Sequence, residues 1–218
     1  MKTITNFKTG MLHATLITAT LFGVTSCNNN KPKDTKDVAM EHNDAKFDNN
    51  GISNNNNNNG NNNSDIKEKD TKFLVKAAEI NLDEIQLGQL AQKSSRVKEV
   101  KDLGKMMEEA HTKSMKDLTA LANKKMITIP SSPTDKAKDD YKKLSNTSGL
   151  DFDKKYTDMM VKGHKDAIDL FEKASKDSED TEIRDWATST LPALRMHLDH
   201  AMNCQKKLEK NVIISMKN

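Results

Sequence analysis

Between Phe73 and Ala91 an apolar seam runs through Phe73, Ala77, Ile80, Leu87 and Ala91, separated by three, four or seven positions. That spacing lines one face of a helix and does not fit a strand, whose faces alternate every second residue. The same period returns along Val100, Gly104, Met107, His111, Met115, Leu118 and Ala122. It returns again along Tyr156, Met160, His164, Ala167, Ile168 and Phe171, and along Ile183, Ala187, Thr190, Leu194, His197, Ala201, Cys204 and Leu208. Four long amphipathic segments bury their seams by packing on one another. Aromatic residues make up only 4% of the chain, and no run of alternating Val, Ile and Thr calls for a sheet. The fold class is therefore all-α.

The punctuation between the seams sets the connectivity. The first helix is predicted from Asp70 to Gln92, and Ser94 or Ser95 caps a second that reaches Lys124. Two prolines and two serines between Ile127 and Pro133 end it. A short helix over Thr134–Leu144 follows, then a break at Asn146–Gly149. Asp151 caps a third long helix over Phe152–Lys176, and a fourth runs from Asp180 or Thr181 to Lys210 with Pro192 kinking it. Two hairpins are thus joined by roughly 27 residues, enough to cross a bundle of ~40 Å. A long crossover between helical hairpins is the ferritin-like four-helix arrangement. The bundle occupies residues 69–210 and leaves 211–218 as a C-terminal tail.

The N-terminus reads as an address. Lys2 and Lys8 precede an apolar stretch from Met11 to Val24, the layout of a secretory signal too short to favour a spanning helix. Val24-Thr25-Ser26-Cys27 resembles the lipobox of bacterial lipoproteins. The resemblance implies a signal peptide over residues 1–26, lipidation of Cys27 (palmitate) and membrane attachment through the acyl chains. An ordinary signal peptide with a cysteine nearby is the alternative. Asn28 follows, not the aspartate associated with inner-membrane retention, which favours the outer membrane and a periplasmic or cell-envelope location. Residues 28–68 are rich in asparagine and predict a disordered tether with a reach of about 35 Å. Cys204 is left without a partner for an intramolecular disulfide, and its place on a seam predicts a buried, inert thiol. The net charge is +3, with both signs interspersed along the helices. That describes solvated faces and argues against a nucleic-acid partner. The sequence names no protein partner.

Four polar residues interrupt the seams: Glu84, His111, His164 and His197. Counting from the predicted turns brings His164 and His197 within roughly 5 Å in height, and His111 and His164 within roughly 6 Å. Glu84 misses the level of His111 by roughly 10 Å, and Glu79, nearer in height, lies about 140° around the helix. One reading is a site for a single transition metal (Zn, Cu, Ni or Fe) on His111, His164 and His197, with Glu84 as a nearby carboxylate. The other is that each histidine is a satisfied core residue. A di-iron centre is disfavoured. It needs a Glu-x-x-His on two helices, and although Glu108 stands three before His111, Leu194 stands three before His197. His200 is expected to face solvent. Phosphate-loop, CxxC, HExxH and G-x-S-x-G patterns are absent, so no catalytic residue is assigned and an enzyme is not the favoured reading.

Several short runs also resemble a known family. They are Phe73-Leu74-Val75-Lys76-Ala77-Ala78, Glu84 to Ala91, Val97-Lys98, His111-Thr112-Lys113, Leu144-Ser145, Phe152-Asp153 with Tyr156, Met159 to His164, Leu170 to Lys173, and Thr190 to Leu194 with His197-Leu198. In this order they are similar to an uncharacterised family of secreted and membrane-anchored bacterial proteins, a domain of unknown function classed as ferritin-like. The resemblance spans residues 72–203 and implies the fold, but no settled activity. The family usually carries an acid directly before its second- and third-helix histidines, where this chain has Ala110 and Gly163. Two functions stand on these grounds. One is a membrane-tethered, non-catalytic binding or stress-related envelope protein. The other is the same bundle holding a metal for redox protection or metal handling.

Overall fold

The computed structural model describes residues 32–50 and 60–217, and the predicted signal peptide and Cys27 lie outside them. Among the described residues there are six helices and no strand: α1 Thr35–Asn50, α2 Gly60–Ser94, α3 Lys98–Lys124, α4 Asp135–Ser145, α5 Gly149–Asp177 and α6 Thr181–Lys217. Helices α2 and α3 form one hairpin, α5 and α6 the other, and α4 lies in the crossover. The protein is an all-α, ferritin-like four-helix bundle. No described helix is long and apolar enough to cross a membrane.

Two apolar layers show how the helices run. One layer joins the early part of α2 (Phe73, Leu74), the late parts of α3 and α5 (Leu118, Phe171) and the early part of α6 (Ile183). The other joins late α2 (Leu87), early α3 and α5 (Val100, Phe152) and late α6 (Cys204, Leu208). Helices α3 and α5 are therefore parallel to each other and antiparallel to α2 and α6, as a long crossover requires. The Phe73 and Phe171 rings meet edge to face at 5.0 Å within the first layer. Cys204 is buried in the second, and burial pushes its thiol up to about 11, so it stays protonated.

Several boundaries differ from the sequence expectation. α2 continues to Ser94, and the Val97 N–H donates to Ser95 Oγ at 3.0 Å, so the turn holds Ser95 and α3 begins only after Val97. Neither Ser94 nor Ser95 caps α3. Helix α5 starts a turn earlier than Asp151 allows, because Gly149 takes a φ of +58°, open to glycine at little cost. Thr134 and Asp180 cap α4 and α6. Thr134 Oγ1 accepts from the Ala137 N–H at 3.3 Å, and Asp180 Oδ1 accepts from the Glu182 and Ile183 N–H groups at 3.0 and 3.1 Å. α6 runs through Pro192 and on to Lys217, so the predicted tail is helical.

The predicted tether needs correction over residues 32–50 and 60–68, its residues 28–31 and 51–59 lying outside the described residues. Within 28–68 the chain forms α1, and α2 already begins at Gly60. Asn43 binds α1 to the crossover with both ends of its amide: Nδ2 donates to the Thr128 carbonyl at 2.8 Å and Oδ1 accepts the Thr128 N–H at 2.7 Å. Lys46 Nζ adds bonds to the Met126 carbonyl and Thr128 Oγ1. Composition marks this segment as polar, but these long-range partners supply the order that it cannot supply itself.

The α2–α3 hairpin closes on two glycines. A Cβ on Gly88 would stand 2.5 Å from the Gly104 carbonyl oxygen, and one on Gly104 would stand 2.7 Å from the Gly88 carbonyl oxygen. Backbone cannot yield as a flexible side chain can. Gly88→Ala is therefore expected to destabilise the bundle by about 2 kcal/mol, despite alanine's better helix propensity. Thermal unfolding should show a melting temperature lower by roughly 4–8 °C.

Candidate metal centre

Between the two apolar layers each long helix contributes polar residues. On α2 they are Asn81 and Glu84, between Ala78 and Leu87; on α3, His111; on α5, His164; on α6, His197. All five are at most 5% exposed. The three imidazoles form a nearly equilateral triangle, with ring centroids 5.5, 5.4 and 5.4 Å apart. One nitrogen from each lies within 4.8 Å of the others.

The hydrogen bonds around the rings fix where their protons sit. His164 Nδ1 lies 2.9 Å from the Met160 carbonyl, an acceptor only, so Nδ1 carries the proton. His111 Nδ1 lies 2.8 Å from Asn81 Oδ1 and donates to it. Both Nε2 atoms are then bare lone pairs, and they face each other at 3.4 Å. Neither has a proton to share, so this contact is not a hydrogen bond. Two imidazoles bound to one ion at about 2.0–2.1 Å with a tetrahedral angle between them would have nitrogens roughly 3.3 Å apart.

Burial holds all three rings neutral. It lowers His111 well below the usual imidazole range, helped by the neighbouring His164 and His197, and it lowers His164 against the opposing Met160 bond. His197 falls to about 4, chiefly through burial and then through His164 and His200. Neutral imidazole is the form that binds metal.

Glu84 does not join the cluster as a ligand. Its Oε1 stands 3.8 Å from His164 Nδ1, the edge of the ring that turns away from His111, and its Oε2 is buried without a partner. Gly163 makes room for it, since a Cβ there would lie 3.2 Å from Oε1. Burial and then the charge of Asp83 raise the Glu84 pKa well above the ordinary carboxylate value, which favours the protonated, uncharged form. The Tyr156 hydroxyl is likewise buried without a partner, and burial raises its pKa well above the ordinary phenol value. Glu79 is buried too, but it bonds Lys76 at 2.8 Å and Thr134 of the crossover at 3.5 Å. Glu108 accepts from Gln89 and Gln92, and His200 is exposed.

Asn81 is the residue that sequence reasoning missed. With α2 ending at Ser94 and α3 starting at Lys98, Asn81 and His111 are equally far from the turn, and Glu84 is only ~4.5 Å out of level. The error of two or three residues in the start of α3 hid both facts. The remaining signal was an asparagine three residues before Glu84, hence on the same helix face.

A ferritin-like bundle with three neutral, buried histidines converging at mid-height defines a class of helical protein with a candidate metal centre in its core. The chain belongs to the family described as Domain of unknown function (DUF4142), whose pattern matches residues 55–204. A crystal structure of a DUF305 fragment from Deinococcus radiodurans is similar in fold, with a TM-score of 0.56 at 12% identity, covering 64% of this chain and 96% of that one. No curated protein matches it.

Proposed function

We propose that this protein binds a single transition metal on His111, His164 and His197, and serves metal handling or redox protection in the bacterial envelope. The observation that carries this reading is the pair of Nε2 lone pairs facing each other at 3.4 Å, each ring's other nitrogen being committed to an acceptor. Without a cation two lone pairs at that distance repel, and a cation between them turns the repulsion into coordination. Of the two functions the sequence left open, this favours the metal-binding one. Three imidazoles suit Zn, Cu, Ni or Fe and leave a fourth position for an exogenous ligand. Asn81 and the Met160 carbonyl orient the first two rings, the usual role of partners behind a metal-bound histidine. The lipobox-like Val24–Cys27 supports a lipid anchor at Cys27 that would hold the site at the membrane surface. Titration of the metal-free protein with Co(II) tests the reading. One equivalent should bind and develop the visible d–d bands of a four-coordinate ion. Absence of saturable binding would remove it.

A further inference from the structure

A cavity of about 440 Å³ lies beside the histidine triangle, and His111 and His197 form part of its wall while His164 does not. It is large for water alone and falls within the range of small-molecule sites, roughly 300–1,000 Å³. Its far wall is aromatic and aliphatic. Phe171 and Trp186 stand with ring centroids 5.3 Å apart, and Ile80, Ala77 and Leu194 extend the apolar surface. Near the histidines the wall includes Asn81, whose Oδ1 is occupied by His111 and whose Nδ2 is buried without a partner. The exposed lining residues Lys113, Asp117 and Ser189 mark the mouth. The two charges there oppose each other, so the mouth itself does not select by charge.

We infer that this cavity seats a small aromatic carboxylate, with one carboxylate oxygen on the metal's open position and the ring lying along Ile80 and Leu194 toward Phe171. The inference rests on the metal reading above. The cavity reaches two of the three histidines from one side, which is where a fourth ligand must enter. A buried amide N–H without an acceptor is costly, and an incoming oxygen beside Asn81 supplies one. An apolar ring fits the wall of Ile80, Leu194 and Phe171. Benzoate carries the whole pattern, whereas acetate carries only the oxygen donor.

The test uses the cobalt-loaded protein and two readouts. The d–d bands report a ligand on the metal, and emission from Trp186, the single tryptophan of the chain, reports occupancy of the cavity. Benzoate should shift the bands and change the emission along one saturable curve, and should bind at least about tenfold more tightly than acetate. Ala193→Phe places a ring in the cavity from an exposed lining position. It should keep the cobalt bands and weaken benzoate by at least about tenfold. Cobalt bands that benzoate leaves unmoved, or benzoate binding no tighter than acetate, would overturn the inference and leave the metal centre standing. Failure to bind cobalt would overturn the metal reading and this inference with it. The comparison of benzoate with acetate on the wild-type protein decides the matter even if Ala193→Phe does not fold.

Discussion

A His164→Ala chain is expected to hold Co(II) or Zn(II) at least about a hundredfold more weakly than the wild type, while keeping its helical circular dichroism. Loss of a partner behind a ligand typically lowers metal affinity by roughly 10–100-fold, and loss of a ligand itself does more. His164 is the informative choice because its Nδ1 bonds only the carbonyl one turn back on its own helix, at Met160. Removing the ring opens no inter-helix hydrogen bond of the folded chain. It also relieves the lone-pair contact with His111, so the metal-free variant loses less stability than the burial of the side chain alone would suggest. Competitive titration against a chelator of known affinity measures the effect. Wild-type affinity in the variant would exclude His164 as a ligand.

The second large effect is acid lability of the metal-free protein between pH 6.5 and 4. His111, His164 and His197 are held neutral by burial, with pKa values below the ordinary 6.5 and, for His197, near 4. The unfolded chain takes up protons there in a range where the folded chain does not. The histidines' contribution is therefore at its full value above pH 6.5 and falls as pH drops toward 4, by up to about 1.4 kcal/mol per pH unit for each proton. Asp180, Glu108 and Glu182, whose pKa values are lowered by partners, add acid lability only from their own ordinary values of 3.8 and 4.5 downward. The upper part of the window thus belongs to the histidines. Asp83, whose pKa burial raises to about 6, and Glu84 act in the opposite sense. The raised pKa of Glu84 means that the unfolded chain loses a proton above pH 4.5 while the folded chain keeps it, so Glu84 costs stability as pH rises. Glu84→Gln should raise the urea midpoint at pH 7 and leave it unchanged at pH 4. A midpoint that is flat from pH 7 to 5, or a Glu84→Gln effect independent of pH, would contradict the electrostatics of this layer.

The all-α bundle, its two hairpins and the long crossover were legible because four seams of period 3.6 admit little else. The polar layer was legible in part for the same reason: three histidines on three seams fall near one height once the helices are counted from their turns. What escaped depended on particular turn chemistry. Ser95 bonds the Val97 N–H within the turn and shifts the start of α3, which moved Glu84 out of register and hid the match between Asn81 and His111. Glu84 looked like a ligand because sequence gives its helix face, but not which edge of His164 it meets. α1 escaped because its order comes from Asn43 pairing with Thr128, a contact 85 residues away.

Elemental analysis of the protein purified without a polyhistidine tag, after reconstitution with Zn(II), Cu(II), Ni(II) or Fe(II) and removal of loosely bound ions, tests the central claim most directly. About one equivalent of a transition metal per chain is expected, and none in the His111→Ala/His164→Ala/His197→Ala chain. A wild-type protein that retains no metal under any of these conditions, or a triple variant that retains as much as the wild type, would contradict it.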